Sequence, residues 1–249
     1  MLRKLFRSGP APSSVPSGQR VYAIGDVHGR ADLLDRLIKS IDEDDQARSP
    51  AATTLVLLGD LIDRGFHSAE TVNRAIDLAE RRPDVRWLTG NHEETFLAAL
   101  AGDTKAIRLF CRIGGRETAL SYGVTPARYD AMDHAELAAA LAALVPHEHR
   151  RFLASGTDVE VIGDYAFVHA GVRPDVGLNE QSVQDLRWIR EPFLNHRGPL
   201  EKRIVHGHTI SDAVEIRPHR IGIDTGAYRS GRLTALGLED DRSWLIDTA

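Results

Sequence analysis

Three apolar runs, Val21–Ile24, Leu55–Leu58 and Val85–Leu88, each end within three residues of a glycine followed by Asp or Asn. Between the first two, apolar residues fall at Leu33, Leu34, Leu37, Ile38 and Ile41, the spacing of one helix face. Between the second and third, a helical stretch over Ser68 to Arg81 is closed by Pro83. Strand–helix–strand–helix–strand predicts a parallel sheet covered by helices. Parallel strands deliver their C-terminal ends to one edge of the sheet, where ligands are held. Asp26, Asp60 and Asn91 therefore meet at a common edge, although 65 residues separate the first from the last.

From about residue 93 to 155 the pattern turns helical, with Asp133 and Glu136 placed as a capping pair before the Ala- and Leu-rich stretch 137–145. Beyond it, Val159–Ile162 and Tyr165–Val168 flank Gly163-Asp164, a two-residue hairpin signal. Further strand candidates are Ile204-Val205, Val214–Arg217, Ile221–Ile223, Leu233–Leu238 and Trp244–Ile246, enough for a second, mixed or antiparallel sheet. The expected architecture is one α/β domain over 19–249. It is a four-layer sandwich of two mixed sheets flanked by helices, with a helical insertion at 93–155. Residues 1–18 are expected to be a disordered tail: Met1–Arg7 is basic and briefly amphipathic, and Gly9–Gly18 reads as a Pro- and Ser-rich linker unable to pack.

Composition removes several functions. A formal net charge of −5 with no long Lys or Arg run argues against nucleic-acid binding. Cys111 is the single cysteine, so no intramolecular disulfide forms, which fits a reducing, cytoplasmic setting. No apolar stretch reaches membrane-spanning length, so no stable membrane insertion is expected. Cys111 to Arg116 is one residue short of a cysteine-phosphatase loop and lies in a helical pattern. Walker, G-x-S-x-G and G-x-G-x-x-G signatures are absent.

What remains is five polar signatures: Gly25-Asp26-Val27-His28-Gly29, Gly59-Asp60-Leu61-Ile62-Asp63-Arg64-Gly65, Gly90-Asn91-His92-Glu93, His169-Ala170-Gly171 and His206-Gly207-His208. Singly, each reads as a turn, a surface ion pair or a helix cap. Together they gather carboxylate, imidazole and amide donors without a thiolate, which suits borderline or hard divalent ions. Asp60, on the middle strand of the three by sequence, is the natural bridge between two ions.

The order GD-x-HG, GD-x-x-DRG, GNHE, HAG and GH-T, spread over residues 21–226, resembles the phosphoprotein phosphatase (PPP) branch of the calcineurin-like metallophosphoesterases, in particular the bacterial and bacteriophage lambda type. The resemblance implies that Asp26, His28 and Asp60 hold one ion and that Asp60 bridges to a second completed by Asn91, His169 and His208. Mn²⁺ is the expected metal, with Fe²⁺, Zn²⁺ and Mg²⁺ as alternatives. His92 is implied as general acid, with Asp63 orienting it. Arg64 and a second arginine, Arg190 with Arg187 as alternative, are implied to bind the substrate phosphate. His206 has no implied role. The expected activity is hydrolysis of phosphoserine or phosphothreonine in proteins, with phosphotyrosine also accepted. The alternative is hydrolysis of diadenosine tetraphosphate. Substrate choice is expected to lie with the 93–155 wall, including Gly114-Gly115-Arg116 and Ser121-Tyr122-Gly123.

Overall fold

The computed structural model describes residues 12–249. In the first sheet β1 (Gln19–Ile24), β2 (Ala52–Leu57) and β3 (Val85–Trp87) run parallel. Antiparallel β9 (Thr234–Glu239) and β10 (Arg242–Asp247) extend it, giving the order β10-β9-β1-β2-β3. The second sheet repeats the plan. Its parallel trio is β5 (Tyr165–Val168), β6 (Arg203–His206) and β8 (Arg220–Gly222), with β4 (Val159–Ile162) and β7 (Glu215–Ile216) antiparallel at the edges.

Strand side chains alternate between faces, and here both faces are covered. Val21 and Ala23 of β1 enter the layer between the sheets, where they meet Val56, Phe167, Val205, Ile221 and Leu236. Tyr22 and Ile24 point the other way, under the apolar faces of α1 (Ala31–Gln46) and α2 (Ser68–Arg81). On the outside of the second sheet, Ala166, Val168 and Ile204 are covered by Leu186 of α9 (Val183–Trp188), Ile189 and Phe193. Double coverage is the reason these strands read as unbroken apolar runs. Each fully buried Ile or Phe contributes about 1.5–3 kcal/mol by leaving water.

The helical insertion comprises α3 (Asn91–Leu100), α4 (Thr104–Ile113), α5 (Gly115–Ser121), α6 (Pro126–Ala131), α7 (His134–Leu144) and α8 (His147–Leu153). It begins at the third signature itself, so Asn91 and His92 occupy the first turn of α3. Asp133 and Glu136 form the expected capping box on α7. Cys111 lies in α4 and packs against the helix-side core. Among the described residues no helix is long and apolar enough to cross a membrane.

The expected linker differs from what residues 12–18 do. Val15 is buried in the layer between the sheets, its N–H bonded to Asp240 O at 2.9 Å, and Ser14 N–H donates to Asp164 Oδ2 at 3.0 Å. One apolar side chain among prolines and serines sufficed to anchor the segment. The basic stretch Met1–Arg7 lies outside the described residues.

Register decides where the site forms. Ile24, Leu57 and Trp87 stand in one row across the first sheet, and Val168, His206 and Gly222 in one row across the second. All six parallel strands therefore release the chain at the same edge.

Candidate active site

Into that edge the strands deliver Asp26 after β1, Asp60 after β2, Asn91 after β3, His169 after β5 and His208 after β6, all buried. Asp60 lies at the centre. Its Oδ2 is 3.6 Å from His28 Nε2 and 3.8 Å from His92 Nε2, while its Oδ1 is 3.4 Å from His169 Nε2. His28, Asp60 and His92 form one group of potential metal donors, and Asp60, His169 and His208 another. Asn91 Oδ1 lies within 3.0 Å of His169 Nε2 and 2.8 Å of His208 Nδ1, joining the second group. Asp26, expected beside His28, falls outside both groups; its Oδ2 accepts the His208 N–H at 2.9 Å and its Oδ1 has no partner.

The backbone fixes the rings. A carbonyl can only accept, so His28 Nδ1–H donates to Ile62 O at 2.8 Å and His169 Nδ1–H to Leu58 O at 2.7 Å. In each ring Nε2 faces Asp60: on His28 it keeps its lone pair, while on His169 burial opposes a proton but Asp60 raises the pKa above its ordinary value. Such outer hydrogen bonds set the tautomer and orientation that a metal-binding imidazole needs. Burial, followed by the charge of His92, holds the His28 pKa well below its ordinary value. Burial and the charge of His169 push His208 down to about 2. Both rings are therefore neutral. Burial alone would protonate Asp60, but the facing His169, His92 and His28 outweigh it and keep the carboxylate ionised. Neutral imidazoles, an ionised carboxylate, an amide oxygen and the unpartnered Asp26 Oδ1 are a donor set that fits divalent cations.

A second layer of contacts positions the polar groups that face this centre. His92 Nδ1 and Asp63 Oδ2 are 2.6 Å apart, and Thr118 Oγ1 of α5 donates to Asp63 Oδ1 at 2.6 Å. The Asp63 N–H is bonded to both Ser68 Oγ (3.0 Å) and Thr118 Oγ1 (2.9 Å). Burial opposes a charge on His92, but Asp60 and Asp63 together raise its pKa above the ordinary value. Arg64 lies across the cleft floor, Nη1 on His28 Nε2 at 2.9 Å and Nη2 on His92 Nε2 at 3.0 Å. Its N–H bonds Gly114 O at 2.9 Å, so the insertion grips Arg64 as well as Asp63. The half-buried Tyr228 ring lies 5.2 Å from the Arg64 guanidinium and edge-on to His28.

Glu93 was quoted in a signature without a role, and it has one. Fully buried, it accepts from Asp60 N–H (2.9 Å), Leu61 N–H (2.8 Å) and Gly90 N–H (2.9 Å), clamping the β2 loop to the start of α3. Burial and the Asp60 charge push its pKa up to about 7. The clamp holds a costly backbone. His28, Asp60, Asp63, Arg64 and His208 all have positive φ, between 47° and 70°. Left-handed conformations at non-glycine residues cost about 1 kcal/mol or more each and gather where a site over-determines them. Gly207 is required for space: a Cβ there would collide with Asp26 Oδ1.

The two candidate arginines separate clearly. Arg187 bonds Asp158 at 2.7 Å and lies 3.8 Å from Glu94, away from the cleft. Arg190 is exposed and reaches Thr209 Oγ1 at 3.2 Å, next to His208. His206 points away from the donors, with its ring 5.0 Å from Phe193 and Nε2 3.3 Å from Arg220 Nη1. Burial lowers its pKa to about 4.

Comparison with known proteins places this geometry. The calcineurin-like phosphoesterase profile matches residues 19–231, and the chain belongs to that family. It is a metallophosphoesterase, a hydrolase whose family chemistry uses divalent metal ions. It is 32% identical to a symmetrical bis(5'-nucleosyl)-tetraphosphatase of Acidovorax ebreus (strain TPSY) over 184 residues, 73% of this chain and 50% of that protein. The chain thus spans about half the length of the first curated relatives it matches. It is 27% identical to the asymmetrical bis(5'-nucleosyl)-tetraphosphatase PrpE of Bacillus mycoides (strain KBAB4), over 86% of this chain and 88% of that one. Among solved structures, one named provisionally as a diadenosine tetraphosphatase superposes with TM-score 0.63 at 19% identity, covering 96% of this chain and 99% of that one. A cold-active protein tyrosine phosphatase mutant gives TM-score 0.59 at 19% identity over 93% of this chain and 80% of that one. At these identities the superpositions establish the fold.

Proposed function

We propose that this chain is a dinuclear-metal phosphoesterase that hydrolyses dinucleoside polyphosphates such as diadenosine tetraphosphate. The site was expected to serve phosphoprotein hydrolysis. That preference gives way because the relatives that cover most of this chain carry tetraphosphatase names. The observation that carries the chemistry is Asp60, with one oxygen facing each histidine group.

Asp26, His28 and Asp60 would hold one ion, and Asp60, Asn91, His169 and His208 the other, with Mn²⁺ the first candidate. When bound, the ions supply Lewis acidity, neutralising phosphoryl charge and making water a nucleophile near neutral pH. The rest falls to the protein. The planar fork of Arg64 is poised to move from the two imidazoles to two phosphoryl oxygens, a match that a lysine lacks. Arg190 supplies charge from the His208 side. As water adds to phosphorus and the bond to the leaving oxygen breaks, His92 Nε2–H gives that oxygen its proton. Asp63, fixed by Thr118 and Ser68, keeps the other nitrogen occupied and stabilises the charged ring.

The test is a substrate panel with chelator-stripped protein reloaded with Mn²⁺, Mg²⁺ or Zn²⁺. Diadenosine tetraphosphate is expected to be turned over at least tenfold more efficiently, in kcat/KM, than phosphoserine and phosphotyrosine peptides. ADP as sole product marks symmetrical cleavage, and ATP with AMP asymmetrical cleavage. Phosphopeptide hydrolysis with an inert dinucleotide would return the assignment to the protein phosphatase class.

A further inference from the structure

Six parallel strands release the chain at the cleft edge, and five of those ends carry the residues described above. The sixth, β8, ends at Gly222 and delivers Asp224, a residue with 1% exposure that no signature included. Its placement follows from a close approach. A Cβ at Gly25 would lie 2.7 Å from Ile223 O, so the two segments touch one residue before Asp26 and Asp224. The two carboxyl groups are close enough for the charge of Asp224 to act on Asp26.

Each carboxyl group is half satisfied. Asp26 Oδ2 takes the His208 N–H at 2.9 Å, and Asp224 Oδ1 takes the Gly226 N–H at 2.9 Å. The remaining pair, Asp26 Oδ1 and Asp224 Oδ2, is buried with no hydrogen-bond partner at all. Neither oxygen has a donor in the protein, and two neighbouring carboxyl groups buried in this way are costly unless a proton or a cation lies between them. No arginine or lysine is bonded to either; Arg64, the nearest guanidinium, is occupied by His28 and His92. A cation beside the pair would supply what neither orphan oxygen finds in the protein. At this edge every neighbouring strand end already points donors toward one.

We propose that Asp224 belongs to the metal centre as a positioning residue that aims the Asp26 carboxylate at the cation. The inference rests on the two-ion reading of the site. It makes β8 the sixth contributor and explains how Asp26, which stands apart from the His28 group, is brought to bear on an ion.

The experiment is Mn²⁺ titration of the stripped full chain by calorimetry, with Asp224→Asn, Asp26→Asn and the double variant. Asparagine keeps an oxygen for the Gly226 N–H, so the loop retains its bond. Asp224→Asn is expected to weaken Mn²⁺ binding about 10–100-fold, as loss of an outer carboxylate does. With Asp26 already Asn, adding Asp224→Asn is expected to change affinity less than threefold, because its effect passes through Asp26. Thermal melts supply a readout free of turnover: the Mn²⁺-induced rise in Tm shrinks in Asp224→Asn. Equal Mn²⁺ affinity in wild type and Asp224→Asn would overturn the assignment, as would a Tm lowered equally with and without the ion. Additive losses in the double variant would overturn the positioning role. Wild-type protein that takes up no divalent ion would instead overturn the metal reading beneath it.

Discussion

Replacing Thr118 by Val tests whether the helical insertion takes part in catalysis. The two side chains are nearly isosteric, but Val can neither donate to Asp63 Oδ1 (2.6 Å) nor accept from the Asp63 N–H (2.9 Å). Ser68 Oγ, 3.0 Å from that N–H, keeps the backbone group satisfied, so the loss falls on the carboxylate. A hydrogen bond to a buried charged group is worth about 1.5–3 kcal/mol, and the stability loss on thermal unfolding should fall in that range. Asp63 would then be free to rotate away from His92 Nδ1. If about half of that free energy appears in the barrier, kcat falls by about three- to tenfold, at roughly 1.4 kcal/mol per factor of ten. The assay is steady-state hydrolysis of phosphoesters with graded leaving groups at saturating Mn²⁺. The slowest, most basic leaving groups should lose most, because only they depend on the proton from His92. A variant that melts earlier but keeps wild-type kcat would show Thr118 to be packing alone. A loss equal across all leaving groups would refute its action through His92.

Other perturbations probe separate parts of the molecule. His92→Ala should lower kcat about 10²–10⁴-fold on an alkyl phosphomonoester and by far less on p-nitrophenyl phosphate, whose leaving group needs no proton. Gly207→Ala should drive Asp26 off its His208 N–H and weaken Mn²⁺ binding, measured by titration; wild-type affinity would show that Asp26 yields without consequence. His149 tests pH dependence at a site remote from the cleft. It is held between Tyr122 Oη (2.9 Å) and Asn73 Oδ1 (2.7 Å), and burial lowers its pKa, with Glu148 opposing the shift. The unfolded chain then takes up the proton first. The His149 contribution is complete above an unfolded pKa of about 6.5 and is lost as pH falls from there toward the lowered folded value. Tm measured from pH 7.5 to 5.5 should drop more steeply in wild type than in His149→Gln.

Much of this was legible because the constraints were local. A strand buried on both faces must be apolar throughout, and a chain leaving it toward a polar cleft must turn at once, so Gly25-Asp26 and Gly59-Asp60 stand out against their neighbours. The GNHE and DRG signatures carried their own punctuation in the same way. The residues that escaped notice act across the fold. Thr118 lies 55 positions from the carboxylate it holds, and in sequence it is an ordinary helix threonine. Asp224 follows Ile221–Ile223, which does read as a strand, but nothing in the local sequence tells that its carboxyl group lies beside Asp26. Glu93 was visible in its signature, yet two of its backbone partners, Asp60 and Leu61, lie in a loop that only the β2–β3 pairing brings beside it. Val15 sits among prolines and serines, so composition outvoted the one side chain that packs. Substrate choice was the least legible, because the phosphoryl chemistry is common to proteins with different leaving groups.

The left-handed backbone at His28, Asp60, Asp63, Arg64 and His208 has an evolutionary reading. Glycine would relieve the backbone at each of these positions, but at Asp63 it would also remove the carboxylate that Thr118 and His92 hold, and at His28 the ring bonded to Ile62 O. Each strained residue is a cost offset only by the contacts of its own side chain. A lineage released from catalytic duty is therefore expected to shed the strain and those contacts together.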